Sequence, residues 1–174
     1  ALLLFACEDE PLQLPDTLHH DGENLTAPIL PVGGHQAAAR FTPNDQQPYA
    51  GRQLTAVSYF LAGVPADCWV IVQGPGTSSS PGDTLYIARV TPEAKTAAWN
   101  EHTLTQPIPI TGTEDLWISL GLRHTQAMQS IGCDAGPADP NGDWLFSDSD
   151  NQWLTFRQRT GSESINWNIR GKVE

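Results

Sequence analysis

Basic residues are scarce in this chain. Nine Lys and Arg, of which only Lys95 and Lys172 are lysines, stand against twenty Asp and Glu. The net charge of −11 would repel a phosphate backbone, which argues against nucleic acid as a partner. Such a coat suits an extracellular protein that stays soluble through its own charge. Helical patterning is missing too: no window of 12 or more residues keeps a 3.6-residue apolar period. No transmembrane span and no internal repeat are found. The catalytic signatures are equally thin. Gly-x-Ser-x-Gly does not occur, and Ser78-Ser79-Ser80 sits between Gly and Pro as a loop would. The five histidines (His19, His20, His35, His102 and His124) belong to no metal or nucleophile motif. An enzyme is not expected.

The 174 residues make one domain by size. Fifteen Gly and fourteen Pro imply many short elements joined by tight turns. Short strands are predicted at 36–41, 52–61, 68–73, 84–90, 97–104, 108–110, 116–122, 144–146, 153–156 and 165–173. The alternation in 52–61 suits a strand with protein on both sides. Regularly spaced short strands mean an all-β fold, an antiparallel β-sandwich or a barrel. Six tryptophans (Trp69, Trp99, Trp117, Trp144, Trp153 and Trp167) fall in or beside these strands. Core packing is their ordinary role, so at least four are expected inside. An exposed set would instead form a platform for stacking sugar rings.

The chain divides at residue 17 into an apolar leader with its spacer (1–17) and a sandwich domain (18–174). Ala1-Leu2-Leu3-Leu4-Phe5-Ala6 runs without a break into Cys7 and three acids. Leaving Leu2, Leu3, Leu4 and Phe5 in water would forgo roughly 6–12 kcal/mol of burial. Three readings follow. Leu4-Phe5-Ala6-Cys7 resembles a lipobox, with Cys7 lipidated after signal cleavage and the domain held at a membrane through that anchor alone. Alternatively Leu2, Leu3, Leu4 and Phe5 insert as a strand into a neighbouring copy and build a homo-polymer or homo-oligomer. The third reading folds the segment back onto its own domain. The Pro-rich stretch 11–31 looks like a spacer leading into the domain, and within it the adjacent His19 and His20 point to opposite faces of a strand and make a poor chelate.

Cys68 and Cys133 can pair once Cys7 has separate chemistry. The bond would close about 65 residues and contribute on the order of 4 kcal/mol. Two buried free thiols are the alternative, and no cysteine spacing resembles a zinc site. Asp139, Asn141 and Asp143 alternate as calcium ligands do, though no EF-hand pattern surrounds them. The same residues serve ordinary turns.

Several ordered pieces resemble a β-sandwich module of secreted and surface proteins of Bacteroidota, found beside gingipain-like and streptopain-like peptidases. They begin with Leu18-His19-His20-Asp21-Gly22-Glu23-Asn24 and Ala39-Arg40-Phe41-Thr42-Pro43. Val70-Ile71-Val72-Gln73-Gly74, Pro81-Gly82-Asp83-Thr84-Leu85-Tyr86 and Trp99-Asn100-Glu101-His102-Thr103-Leu104 follow, then Asp115-Leu116-Trp117-Ile118 and Cys133-Asp134-Ala135-Gly136-Pro137. Asn141-Gly142-Asp143-Trp144 and the closing stretch from Asn166 to Glu174 complete the set. The resemblance implies a jelly-roll-like sandwich used for adhesion or assembly and carries no catalytic residue. The expected function is a non-enzymatic extracellular or cell-surface subunit that self-assembles into a filament through its apolar leader. The rival is a lipid-anchored lipoprotein whose sandwich binds a glycan.

Overall fold

The computed structural model describes residues 16–174. Its strands, in chain order, are β1 (Thr17–Leu18), β2 (Ile29–Leu30), β3 (Gly33–Phe41), β4 (Gln53–Leu61), β5 (Asp67–Gln73) and β6 (Thr84–Arg89). Then come β7 (Ala98–Pro109), β8 (Leu116–His124), β9 (Met128–Gln129), β10 (Trp144–Ser147), β11 (Gln152–Thr155) and β12 (Ile169–Val173). Two short α-helical turns interrupt them, α1 (Pro43–Gln46) and α2 (Phe156–Thr160), along with 3-10 turns at Gln47–Tyr49 and Thr91–Glu93. All ladders are antiparallel, and they form a four-stranded sheet ordered β1-β12-β4-β7 and a six-stranded sheet ordered β11-β10-β3-β8-β5-β6. A small ladder pairs β2 with β9.

Setting aside the β10–β11 hairpin, the two sheets read β1-β12-β4-β7 and β3-β8-β5-β6. That alternation of early and late strands is the double Greek key of a jelly roll. The hairpin extends the second sheet beyond β3. It is this addition that raises a wall beside the sheet's outer face.

The core lies between the sheets. On the six-stranded side it takes alternate residues: Ala37, Ala39 and Phe41 of β3, Leu116, Ile118, Leu120 and Leu122 of β8, and Cys68, Val70 and Val72 of β5. The facing sheet supplies Leu54, Val57, Tyr59, Leu61 and Ile169. Gly171 leaves room for core side chains, since a Cβ there would lie 2.6 Å from Leu54 Cδ1 of its own sheet and 2.7 Å from Ile118 Cδ1 of the facing one.

Several expectations are corrected. β4 leaves Ser58 and Phe60 half-exposed on its outer side, whereas β8 is covered on both faces from Leu116 to Leu122, with Arg123 exposed beyond them. Residues 97–104 and 108–110 form one strand, β7, that carries Pro107 and Pro109. β7 ends its sheet, so a proline without an N–H breaks no ladder on its open side. The stretch 16–31 is no free spacer. Leu18, Ala27 and Leu30 are buried, and β1 pairs with β12.

Two carboxylates pin this arm. Asp134 accepts from the backbone N–H of Gly22 (2.9 Å), Gly136 (2.8 Å) and Asn166 (2.7 Å), and from Asn166 Nδ2 (2.9 Å). Asp21 accepts from Asn168 Nδ2 (2.7 Å) and from Arg170 Nε (3.0 Å to either oxygen), with His19 Nδ1 3.2 Å away. Burial alone would raise both acids. The donors around them outweigh it and hold both carboxyls below the ordinary carboxylate range.

Candidate ligand groove

The outer face of the six-stranded sheet carries a groove of about 600 Å³, a size usual for small-molecule sites. Its floor is made by the outward positions of the two central strands, Gly34 and Gln36 on β3 and Gly121 on β8. Trp69 and Ile71 of β5 form one wall, and Phe146 of β10 forms the other. The walls stand three strand steps apart, about 14 Å backbone to backbone.

Small residues hold the floor down. A Cβ on Gly121 would come 3.2 Å from Ile71 Cδ1 and 3.5 Å from Trp69 Cε3, so the wall side chains lean across it. At the mouth, Asp148 accepts from Gly34 N–H at 2.7 Å. A Cβ on Gly33, whose φ is +131°, would lie 2.7 Å from Asp148 Oδ1. Gly33 is therefore required by conformation and by space. Arg123 stands opposite both Gly34 and Asp67 in the ladders. The Asp67 carboxylate is taken by Arg89 Nε at 2.7 Å. The Arg123 guanidinium lines the groove with no ion-pair or side-chain hydrogen-bond partner among the described residues.

The tryptophans divide by face. Trp117, Trp144 and Trp167 are buried, one fewer than the four expected inside. Trp69 and Trp153 are half-buried on the outer face of the six-stranded sheet. Trp99 is 39% exposed on the opposite sheet, with Arg170 stacked 4.3 Å from its ring. The wall position of Trp69 was readable from its strand, because Cys68, Val70 and Val72 claim the inner face and leave Trp69, Ile71 and Gln73 outside. The opposing wall had no such signal, since which strand β10 would join is a matter of topology.

The other sequence-predicted residues lie elsewhere. Cys68 and Cys133 are both buried free thiols, so the disulfide expectation gives way to its alternative. Burial pushes both thiols up, Cys133 to about 11. Asp139, Asn141 and Asp143 do not assemble a calcium loop. Asp139 Oδ1 accepts from Asn141 N–H at 2.8 Å, and Asp143 Oδ2 accepts from Arg157 N–H at 3.0 Å at the start of α2. These are turn and cap bonds. Among the described residues no group of three or more His, Cys, Asp or Glu is placed to hold a metal ion. His19 and His20 diverge: His19 faces Asp21, while His20 stacks on Phe41 at 4.7 Å and bonds the Arg40 carbonyl at 2.7 Å. The assembly residues Leu2, Leu3, Leu4 and Phe5 and the lipidation residue Cys7 lie outside the described residues.

Compared with protein-family models, curated proteins and solved structures, the chain matches none of them. The likeness to the Bacteroidota module rests on the sequence pieces alone.

Proposed function

We propose that this chain is a non-enzymatic saccharide-binding sandwich that works outside the cell, with the outer groove of the six-stranded sheet as its site. The observation that carries the reading is the composition of that groove: aromatic walls, a glycine floor and a few polar groups with capacity to spare. A sugar ring has apolar C–H faces and a rim of hydroxyls. Trp69 and Phe146 would cover the faces. Gly121 lets Trp69 and Ile71 lean inward over the floor, which offers the indole to a ring lying across it. Arg123 donates to the hydroxyls, and Asp148 and the Gln36 side-chain carbonyl accept from them, replacing the water they would otherwise lose. Arg123 and Asp148 carry opposite charges at one mouth, which favours a hydroxyl-rich ligand over a strongly charged one.

The test is a printed glycan array probed with the wild-type chain and with Trp69→Ala, Phe146→Ala and Trp99→Ala. Wild type and Trp99→Ala should bind the same saccharides, and the two groove variants should lose them with unchanged circular dichroism. Binding that survives Trp69→Ala and Phe146→Ala but fails in Trp99→Ala would move the site to the other sheet.

A second reading is self-assembly, in which the apolar residues 2–5 add a strand to a neighbouring copy. It is favoured by the open edge of β6, which ends the six-stranded sheet and leaves Leu85 and Ile87 53% and 59% exposed. Deleting residues 1–6 and imaging the product by electron microscopy tests it, and undiminished polymers would rule it out. A lipid on Cys7 would appear in the intact mass of the cell-associated protein.

A further inference from the structure

Resting on the saccharide-binding reading, we infer that the groove receives the end of a glycan, one or two terminal rings, and not the interior of a long chain. The reason is how the floor stops. From the mouth inward, the outward positions of β3 run Gly34, Gln36, Ala38 and Arg40, and those of β8 run Arg123, Gly121, Ser119 and Trp117. The first two of each row line the groove. The next in each row, Ala38 and Ser119, are 0% exposed, and so is Trp117 beyond them.

Two layers close that end. Gln36 Nε2 donates to Gln73 Oε1 (2.6 Å) and to Ser119 Oγ (2.9 Å), a brace that spans β3, β8 and β5. Behind it the Trp117 ring packs 5.5 Å from Trp144 and 5.8 Å from Trp153. Arg40 lies over Trp117 and is tied to Asp115 and to the Ser78 carbonyl. The floor therefore ends by the second outward residue of each strand, about 7 Å from the mouth, where it meets the aromatic block. Phe146 and Trp69 bar the sideways exits. A ring seated against Trp69 has a hydroxyl at the Gln36 side-chain carbonyl. A linkage that runs along the floor can leave only through the mouth, past Arg123 and Asp148. An interior ring, substituted at both ends, would drive its second neighbour into the brace.

The test starts from an array of neutral, N-acetylated and acidic glycans. Calorimetry follows on a length ladder of the series that binds, from monosaccharide to hexasaccharide, and on the same series capped at either end or closed into a ring. Affinity should rise to the di- or trisaccharide and then level. Ring closure, or a cap at one of the two ends, should weaken binding at least about tenfold, or 1.4 kcal/mol. Affinity still climbing at the hexasaccharide, or rings that bind as well as linear chains, would overturn end recognition. The saccharide reading would stand in that case if Trp69→Ala still removed binding. An array on which nothing binds would overturn both.

Discussion

Replacing Asp134 by Asn tests whether the N-terminal arm and the 133–137 loop are held by one carboxylate. Its two oxygens accept four hydrogen bonds of 2.7 to 2.9 Å, two on each oxygen. An amide keeps one oxygen and turns an NH2 toward the two donors at the other. Flipping the amide only exchanges which pair is lost. Nor can Asn166 turn its own amide to help, because its Oδ1 accepts from Asp139 N–H at 2.7 Å. A bond to a charged group contributes about 1.5–3 kcal/mol, so two lost bonds set a ceiling near 3–6. Shared neighbours make such losses less than additive, and about 3 kcal/mol is the working value. At roughly 2–4 °C per kcal/mol for a chain of this size, Tm should fall by about 6–12 °C in a thermal melt at neutral pH. Asp148→Asn, on an exposed carboxylate with one hydrogen bond, is the control and should stay within about 2 °C. The pH dependence supplies a second check. Asp134 titrates below its ordinary value in the fold, so its contribution is present above the unfolded pKa and is lost as pH falls through the folded one. The gap between wild type and variant should therefore close in acid. A Tm within about 2 °C of wild type at pH 7, or a gap that widens in acid, would refute the reasoning.

His19 should act with the opposite sign. Its hydrogen bond to Asp21, against some loss of hydration, raises its pKa above the ordinary 6.5. Its stabilisation is thus full below that value and lost as pH rises through the folded pKa, and His19→Gln should cost more Tm at pH 5 than at pH 9. Gly171→Ala inserts a methyl between Leu54 and Ile118 and should cost about 1–3 kcal/mol, read as a lower urea midpoint. An unchanged midpoint would mean that the sheets are looser than described. Cys68 and Cys133 should resist an aqueous thiol reagent in the native protein and both react in denaturant. An intact mass short by two hydrogens would show a bond instead.

Much of the fold was legible because strand alternation is a local property. Cys68-Trp69-Val70-Ile71-Val72 declares a strand and its two faces without help from the rest of the chain. The two helical turns escaped because one turn is too short to show a period, although Thr155 and Gln158 form a capping box that could have been read as a helix start. Residues 165–168 look like strand, yet Asn166 and Asn168 spend their side chains on Asp134 and Asp21, and regular pairing begins at Ile169. The groove was half visible. Trp69 announces an outward aromatic, but Phe146 faces it only because the β10–β11 hairpin joins β3, about 110 residues away in sequence. The acidic stretch around Asp139 misled for a chemical reason: Asp and Asn are chosen alike by calcium and by turns, and here the backbone N–H groups take the oxygens.

The central claim is that a sugar ring sits against Trp69. Two-dimensional NMR of the tryptophan indole N–H signals during titration with the array-selected saccharide reads this directly. The Trp69 signal should move with ligand concentration, while those of Trp99 and the core residue Trp167 stay in place. A shift centred on Trp99, or a Trp69 signal that remains still while saccharide binds, would contradict the account.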